Sequence, residues 1–455
     1  MKKNEISHEN QSNASVPQKQ YGLFTAITMI VGIVIGSGIF FKSDDILHAT
    51  GGSVALGVLV FCLAAISIIF GSLTIAELAS RNDKAGGIIT YAEDTCNKHI
   101  ACAFGWFHTF LYYPTLTAVV AWVSGIYIAL LFGIESTLAI EVGIGFVVLT
   151  ALFICNVLSS KVGGYLQNAS TIIKLIPLFI IAILGVFYGD PAHMDMQDIS
   201  KMESAAWISA LAPIAFSFDG WIVSTSIGHE IKNPKKNLPI ALIAAPLFIL
   251  AIYLLYFVGI SIYLGPEEVM RLGNDHVYVA ANQLFGSFGG KLVLIFVIIS
   301  VMGTVNGLIM GLTRLPYSLS IRGMFPQSDR VKVLNPKLNL SIPSAFIGFM
   351  LTVIWLGIHY FTQVQGLLPN SDISEISITI NYALYIVLYI KVFQLGLKGE
   401  ITGVWRSKIN PIMATLGSLM ILFGNISNPL FWNYSLICLL LLVAAMLFWH
   451  TQKRD

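Results

Sequence analysis

Two short glycine-broken passages carry the chemistry of this chain: Gly36-Ser37-Gly38-Ile39-Phe40 and Phe216-Ser217-Phe218-Asp219-Gly220-Trp221. Each falls near the middle of a long apolar run. Backbone in hydrocarbon must bond to itself, so a break at that depth is tolerated only where it lines a cavity or lies within protein. In the first passage Gly36 and Gly38 permit backbone angles outside the helical well, which frees amide N–H groups to meet an anion. A half-helix beginning near Gly38 adds the positive end of its dipole, a seat for a carboxylate. Gly32 and Gly36 alone would equally suit a GxxxG packing face, but a second break in a corresponding position points to a binding site. There the outer half of the helix ends in carbonyls suited to an ammonium group. N–H groups from one break and C=O groups from the other match a zwitterion, an α-amino acid.

The site read from these passages comprises Gly36, Ser37, Gly38 and Ile39 with Phe216, Ser217, Phe218, Asp219 and Gly220. Phe216, Phe218 and Trp221 could close over a ligand as aromatic gates, or simply pack. Asp219 is an acid at mid-depth, which is costly and by default marks a functional site. It has three readings: binding a cationic side chain, proton coupling, and tying down the unwound backbone, which is preferred. Lys174, in Thr171-Ile172-Ile173-Lys174-Leu175-Ile176-Pro177, is the basic residue well inside a span. It lies about 15 Å from the inner start of its helix, too deep for easy snorkelling, so its ammonium needs carbonyls or a carboxylate. It reads as a fixed cation gripping the unwound first helix, or else as a lysine bent toward an inner vestibule. The Tyr256 hydroxyl could bond substrate or Lys174, or the ring could pack. Glu77 and Arg314 read as interface charges.

The elements that must position these groups follow from composition. The 455 residues are 56% hydrophobic and 11% charged, against about 25% charged in soluble proteins, and the mean hydropathy is +0.78. This is an integral membrane protein, all-α, whose medium is the lipid bilayer. A net charge of +2 argues against a nucleic-acid partner, which would want a concentrated basic face. Apolar stretches of roughly 20 residues give twelve transmembrane helices, at about 23–47, 53–79, 100–131, 139–158, 165–188, 206–228, 239–263, 289–320, 340–362, 374–397, 408–424 and 430–449. With the N-terminus inside, 21 of the 26 Lys and Arg residues fall on the inner side and 4 outside, Lys42 among the latter, with Lys174 left within a span. That bias puts both termini in the cytoplasm of a multi-pass cell-membrane protein. Residues 1–20 lack an apolar core, so no cleaved signal peptide is expected and the segment reads as a disordered cytoplasmic tail. The five cysteines show no metal spacing; no disulfide framework, metal or cofactor is expected. Residues 264–288 read as an outer loop with room for short helices and 321–339 as an inner loop.

The broken spans are the first and the sixth, five apart, and an odd offset makes a second five-helix unit enter the membrane from the opposite face. The chain thus divides into a first inverted repeat at 21–200, a second at 201–400, and two last helices with the cytoplasmic C-terminus at 401–455. Both breaks lie about 18 Å along their helices, near the midplane of a core about 30 Å thick.

The motifs GSGIF in the first span, FSFDGW in the sixth, the loop His229-Glu230-Ile231-Lys232-Asn233-Pro234-Lys235-Lys236-Asn237-Leu238-Pro239 and Arg322-Gly323-Met324-Phe325-Pro326 resemble the amino acid–polyamine–organocation superfamily. The likeness runs from about Tyr21 to Trp449 and is strongest to its L-amino acid transporter branch, in particular to bacterial alanine–serine–cysteine exchangers. It implies a leucine-transporter-like fold of 5+5 inverted repeats plus two helices, and sodium-independent exchange of L-amino acids by alternating access. It also implies that Lys174 occupies the place where sodium-coupled relatives hold an ion, and that Phe216 covers the site. Eukaryotic members join a glycoprotein subunit through a cysteine after the third span; residues 132–140 contain none, so no disulfide-linked heavy subunit is expected. Small neutral amino acids such as alanine, serine and cysteine are the first choice of substrate. Asp219 keeps cationic ones second, and proton-coupled uptake is the alternative mechanism. A membrane-embedded enzyme is remote, since no HExxH, GxSxG or Cys/His cluster appears, and a channel has no filter-like repeat to support it.

Overall fold

Runs of Leu, Ile, Val and Phe leave the backbone no partner in hydrocarbon but itself, and a helix satisfies its N–H and C=O groups internally. The computed structural model obeys that rule. It describes residues 22–36, 38–81, 87–158, 160–193, 205–222, 231–338, 340–368, 371–426 and 428–452, and these contain no strand beyond an isolated bridge between Asn335 and Leu340. The expected tail at 1–20, Ser37, His229 and Glu230 of the basic loop, and the 200/201 repeat boundary lie outside the described residues.

The first half contains α1 (Leu23–Val34), α2 (Gly38–Phe41), α3 (Ser43–Ala49), α4 (Val54–Arg81), α5 (Ile88–Thr95), α6 (Lys98–Phe107), α7 (Tyr113–Phe132), α8 (Leu138–Leu158) and α9 (Ser160–Tyr188). The second contains α10 (Leu211–Phe218), α11 (Pro234–Leu264), α12 (Pro266–Leu272), α13 (His276–Leu312), α14 (Leu315–Ser320), α15 (Ser328–Val331), α16 (Ile342–Val364), α17 (Ile373–Leu397), α18 (Asn410–Asn425) and α19 (Phe431–Gln452). Among the described residues nine helical stretches are long and apolar enough to cross a membrane, from Val54–Arg81 to Phe431–Gln452, which makes this a multi-pass membrane protein. Three apolar helices fall short of that length: α1 with 12 residues, α10 with 8 and α18 with 16.

Two of those three are short because the chain breaks where the glycines stand. α1 ends at Val34, and Ile35 turns extended at φ −70°, ψ 101°. The helix resumes at Gly38, and the bonds from Lys42 N–H to the Gly38 carbonyl (2.9 Å) and from Ile46 N–H to the Lys42 carbonyl (3.0 Å) carry α2 into α3. α10 ends at Phe218, Asp219 is extended at φ −68°, ψ 156°, and Gly220 takes φ 96°, a left-handed angle that suits glycine. The break read from the sequence at Phe216–Trp221 thus falls at Asp219 and Gly220, and residues 223–228 of that span lie outside the described residues. The loop expected at 264–288, with room for short helices, carries the short α12, while α13 begins earlier than expected and kinks where Gly286 adopts φ 70°. In the third span a π-helical turn, His108–Tyr112, separates α6 from α7. Near the C-terminal end of α4, Arg406 forks onto Glu77 with bonds of 2.6 and 2.8 Å.

Packing centres on the broken helices. α1 lies against α9, α11 and α13, while α10 lies against α4, α17 and α18, and α2 touches α10.

Candidate functional site

A helix that stops in mid-membrane strands its last carbonyls and presents the negative end of its dipole there. At the end of α1 the compensating charge is Lys174. This residue of α9 is fully buried, and its Nζ donates to the Gly32 carbonyl at 2.5 Å and to the Ile35 carbonyl at 2.6 Å. The two carbonyls would have bonded to amides 36 and 39 in an unbroken helix. An ammonium with three donors and no acceptor suits such a place.

Beyond the break, α2 approaches α10 closely. A Cβ on Gly38 would come within 2.6 Å of the Ser217 Cα and 3.1 Å of Phe216 Cδ1, so glycine is required there to let the two backbones meet. One on Gly220 would stand 2.7 Å from Ile33 Cγ2. Between the breaks lies a cavity lined by Gly36 and Gly38, by Phe216, Asp219 and Gly220, by Leu116 and Val120 of α7, and by Thr304 and Leu308 of α13, with Ile33 and Val34 completing it. Its walls join apolar side chains to a few polar groups, and the space they enclose in this conformation is small, about 20 Å³.

Five of the residues singled out in the sequence thus converge on the cavity: Gly36, Gly38, Phe216, Asp219 and Gly220. Ile39, Ser217 and Phe218 are buried beside it. Ser217 Oγ bonds to the Pro213 carbonyl at 3.0 Å, and Phe218 packs edge-on against Phe61 and Tyr253. Trp221 packs edge-on against Tyr385. Of the three aromatic gate candidates only Phe216 lines the cavity.

Asp219 is buried. One carboxylate oxygen accepts from the Tyr112 hydroxyl, which reaches it from the π-helical turn; the other makes no well-formed hydrogen bond among the described residues. Such turns often mark functional positions, and here the wide turn carries the residue that holds Asp219.

Tyr256 is not bonded to Lys174. Its hydroxyl has no hydrogen-bond partner among the described residues, and its ring stands edge-on to Phe40 with centroids 5.6 Å apart. The bridging tyrosine is Tyr253, one turn earlier on α11. Its hydroxyl lies 2.8 Å from the Ser217 carbonyl and 3.1 Å from the Val34 carbonyl, so one donor tethers both breaks. The sequence held no signal separating these tyrosines, because both sit at mid-span and only the rotation of α11 distinguishes them. Tyr253→Phe removes this tether without opening a void. It is expected to lower the exchange rate about tenfold, the equivalent of roughly one buried hydrogen bond, with expression and thermal stability near those of the parent, as tracer uptake and a melting curve of the purified protein would check.

The comparisons with known proteins agree with this geometry. A family model described as amino acid permease matches residues 21–455. The chain is similar to the serine/threonine exchanger of Bacillus subtilis, 32% identical over 414 residues, 89% of this chain and 90% of that protein. It is also similar to the b(0,+)-type amino acid transporter 1 of Homo sapiens, 25% identical over 453 residues, 95% of this chain and 87% of that one. The cystine/glutamate transporter of Homo sapiens is 27% identical over 348 residues, 74% of this chain and 68% of that one. The resemblance to the amino acid–polyamine–organocation superfamily carried by GSGIF and FSFDGW therefore stands, and the relatives named are transporters and exchangers. The chain belongs to the amino acid permease family.

Proposed function

We propose that this protein is a sodium-independent exchanger of small neutral L-amino acids that works by alternating access. One observation carries the reading most directly: the Lys174 ammonium lies on the Gly32 and Ile35 carbonyls beside a cavity formed by both broken helices. A fixed cation there removes the need for a dissolved one. The substrate carboxylate would meet the amides at the start of α2, the ammonium the carbonyls at the end of α10, and the side chain the wall of Leu116, Val120 and Leu308. The similarity to a serine/threonine exchanger supports substrates of that size.

The architecture proposed is twelve helices in two inverted repeats of five, 21–200 and 201–400, plus two at 401–455. The two broken spans and α18, whose unbroken helices are too short to count among the nine longer stretches, complete the twelve. Numbering the spans in chain order, the first break packs on the fifth and seventh spans and the second on the tenth and second. Adding or subtracting five converts one pair into the other, which supports two copies of one unit; the third neighbours, α13 on the first break and α18 on the second, do not follow that relation. The Lys and Arg bias supports both termini in the cytoplasm, and the cysteine-free segment 132–140 supports a protein that works without a disulfide-linked subunit.

The test is competition against radiolabelled serine in serine-loaded proteoliposomes. Alanine, serine, threonine and cysteine are expected to compete and arginine and glutamate are not; inhibition by glutamate equal to that by alanine would overturn the substrate class. A second reading, cationic substrates, is favoured by Asp219, which lines the cavity and has one oxygen without a well-formed bond, and stronger competition by arginine than by alanine would establish it.

A further inference from the structure

Lys42, read from the sequence as a charge at the border of the first span, is 2% exposed. Its Nζ stands 2.5 Å from Glu375 Oε1, 3.1 Å from Asp372 Oδ2 and 3.1 Å from Asp45 Oδ2. One ammonium therefore draws together carboxylates from its own segment and from the first turn of α17. The same ammonium lies 5.4 Å from the centroid of the Phe216 ring, the aromatic wall of the cavity beneath. Further bonds tie the cluster to its surroundings. Ser371 Oγ donates to Glu375 Oε2 at 2.7 Å, Asn428 Nδ2 donates to Ser371 Oγ at 3.1 Å, and Asp372 Oδ1 caps α17 by accepting from the Ser374 amide at 2.8 Å.

Buried charges are tolerated when all partners are together, and removing one leaves the others uncompensated. Parting the cluster therefore requires water to enter around it, which makes the contact bistable, made or fully open. The side that bears Lys42 is set off from α1 by the break at residues 35–37 and packs instead on α10 and α12, while Lys174 holds the end of α1 at Gly32 and Ile35. The partner side, α17, also contacts α10, the other broken helix.

We infer that Lys42, Asp372 and Glu375 form a charge latch that closes the path from the cavity to the outer side, holding Phe216 over the ligand, and that parts once in each transport cycle. The outer placement rests on the orientation given under Proposed function. In this division of labour Lys174 fixes the static half of the first span and Lys42 secures the half that moves. Lys42 and Glu375 are positioning residues, since they act through Phe216 and the helix halves.

The test uses the full-length protein in intact cells, with its native cysteines replaced and Val120→Cys as the reporter in the cavity wall. A membrane-impermeant thiol reagent is applied from outside. Lys42→Gln and Glu375→Gln are each expected to raise the labelling rate about tenfold or more, because loss of one partner of a buried charge pair moves an equilibrium by at least that factor. The charge swap Lys42→Glu with Glu375→Lys is expected to bring labelling back toward the parent rate. No rise in either single variant with reagent on either face overturns the latch, and if Lys42→Gln fails to reach the membrane, Glu375→Gln alone decides. A swap that stays as open as the single variants also overturns it, since volume rather than charge pairing would then close the path. Labelling does not depend on transport, so failure of the exchange reading leaves this readout intact. A rise seen only with reagent on the cytoplasmic face of inverted vesicles would support the latch and overturn its outer placement.

Discussion

Exchange by the Lys174→Ala variant is expected to fall at least about a hundredfold, because two charge-assisted hydrogen bonds to buried carbonyls are lost, each worth about 1.5 kcal/mol or more. The loss reaches function through geometry. Without the ammonium, the Gly32 and Ile35 carbonyls face one another unpaired inside protein, and the end of α1 must either draw in water or re-form helix through the break. Re-forming the helix would consume the amides on which the carboxylate is proposed to rest. Lys174→Met, which keeps length and volume but carries no donor, is expected to behave as badly as alanine, so the effect belongs to the charge and not to the space. Initial rates of labelled serine uptake into loaded proteoliposomes, normalised to protein content, measure both. Rates within a factor of about three of the parent, less than one net hydrogen bond is worth, would remove Lys174 from its role.

Gly38→Ala is expected to reduce exchange about a hundredfold, the cost that a misplacement of about 1 Å can exact at a positioned site. The added methyl would lie 2.6 Å from the Ser217 Cα. That neighbour is backbone, held by the Tyr253 hydroxyl on the Ser217 carbonyl, and it cannot swing aside as a side chain would. The two breaks must separate, and the cavity between them loses its shape. Gly143→Ala is the matched control, since nothing lies within 4 Å of a Cβ at that position; it is expected to transport at the parent rate. Equal rates for both alanine variants would show that the close approach of the two breaks is dispensable.

The parts of the site that were legible in the sequence are those that violate the bilayer's rules. Glycines in mid-span, a lysine too deep to snorkel and an acid beside a break are each costly in hydrocarbon, so their positions stand out without any knowledge of neighbours. Gly36, Gly38, Phe216, Asp219 and Gly220 meet at one cavity for that reason. What was not legible depends on rotation about helix axes and on partners distant in the chain. Tyr253 and Tyr256 differ by one turn of α11, and an uncertainty of several residues in span boundaries exceeds that difference. The burial of Lys42 comes from Asp372 and Glu375, more than three hundred positions away; taken alone, Lys42 looks like one more border charge. The π-helical turn that aims Tyr112 at Asp219 leaves no mark on the apolar pattern of the third span. The extension of α13 before Gly286 was hidden because its outer turns are too polar to read as membrane.

The central claim is that a built-in cation replaces a dissolved one in an exchanger, and it is tested most directly by serine counterflow in proteoliposomes with sodium present or fully replaced by potassium. The account predicts equal initial rates in the two media, and uptake into serine-loaded vesicles about tenfold or more above uptake into empty ones, as expected when the empty carrier returns over a barrier higher by at least about 1.4 kcal/mol. Uptake that collapses without sodium, or that runs as fast into empty vesicles as into loaded ones, would contradict it.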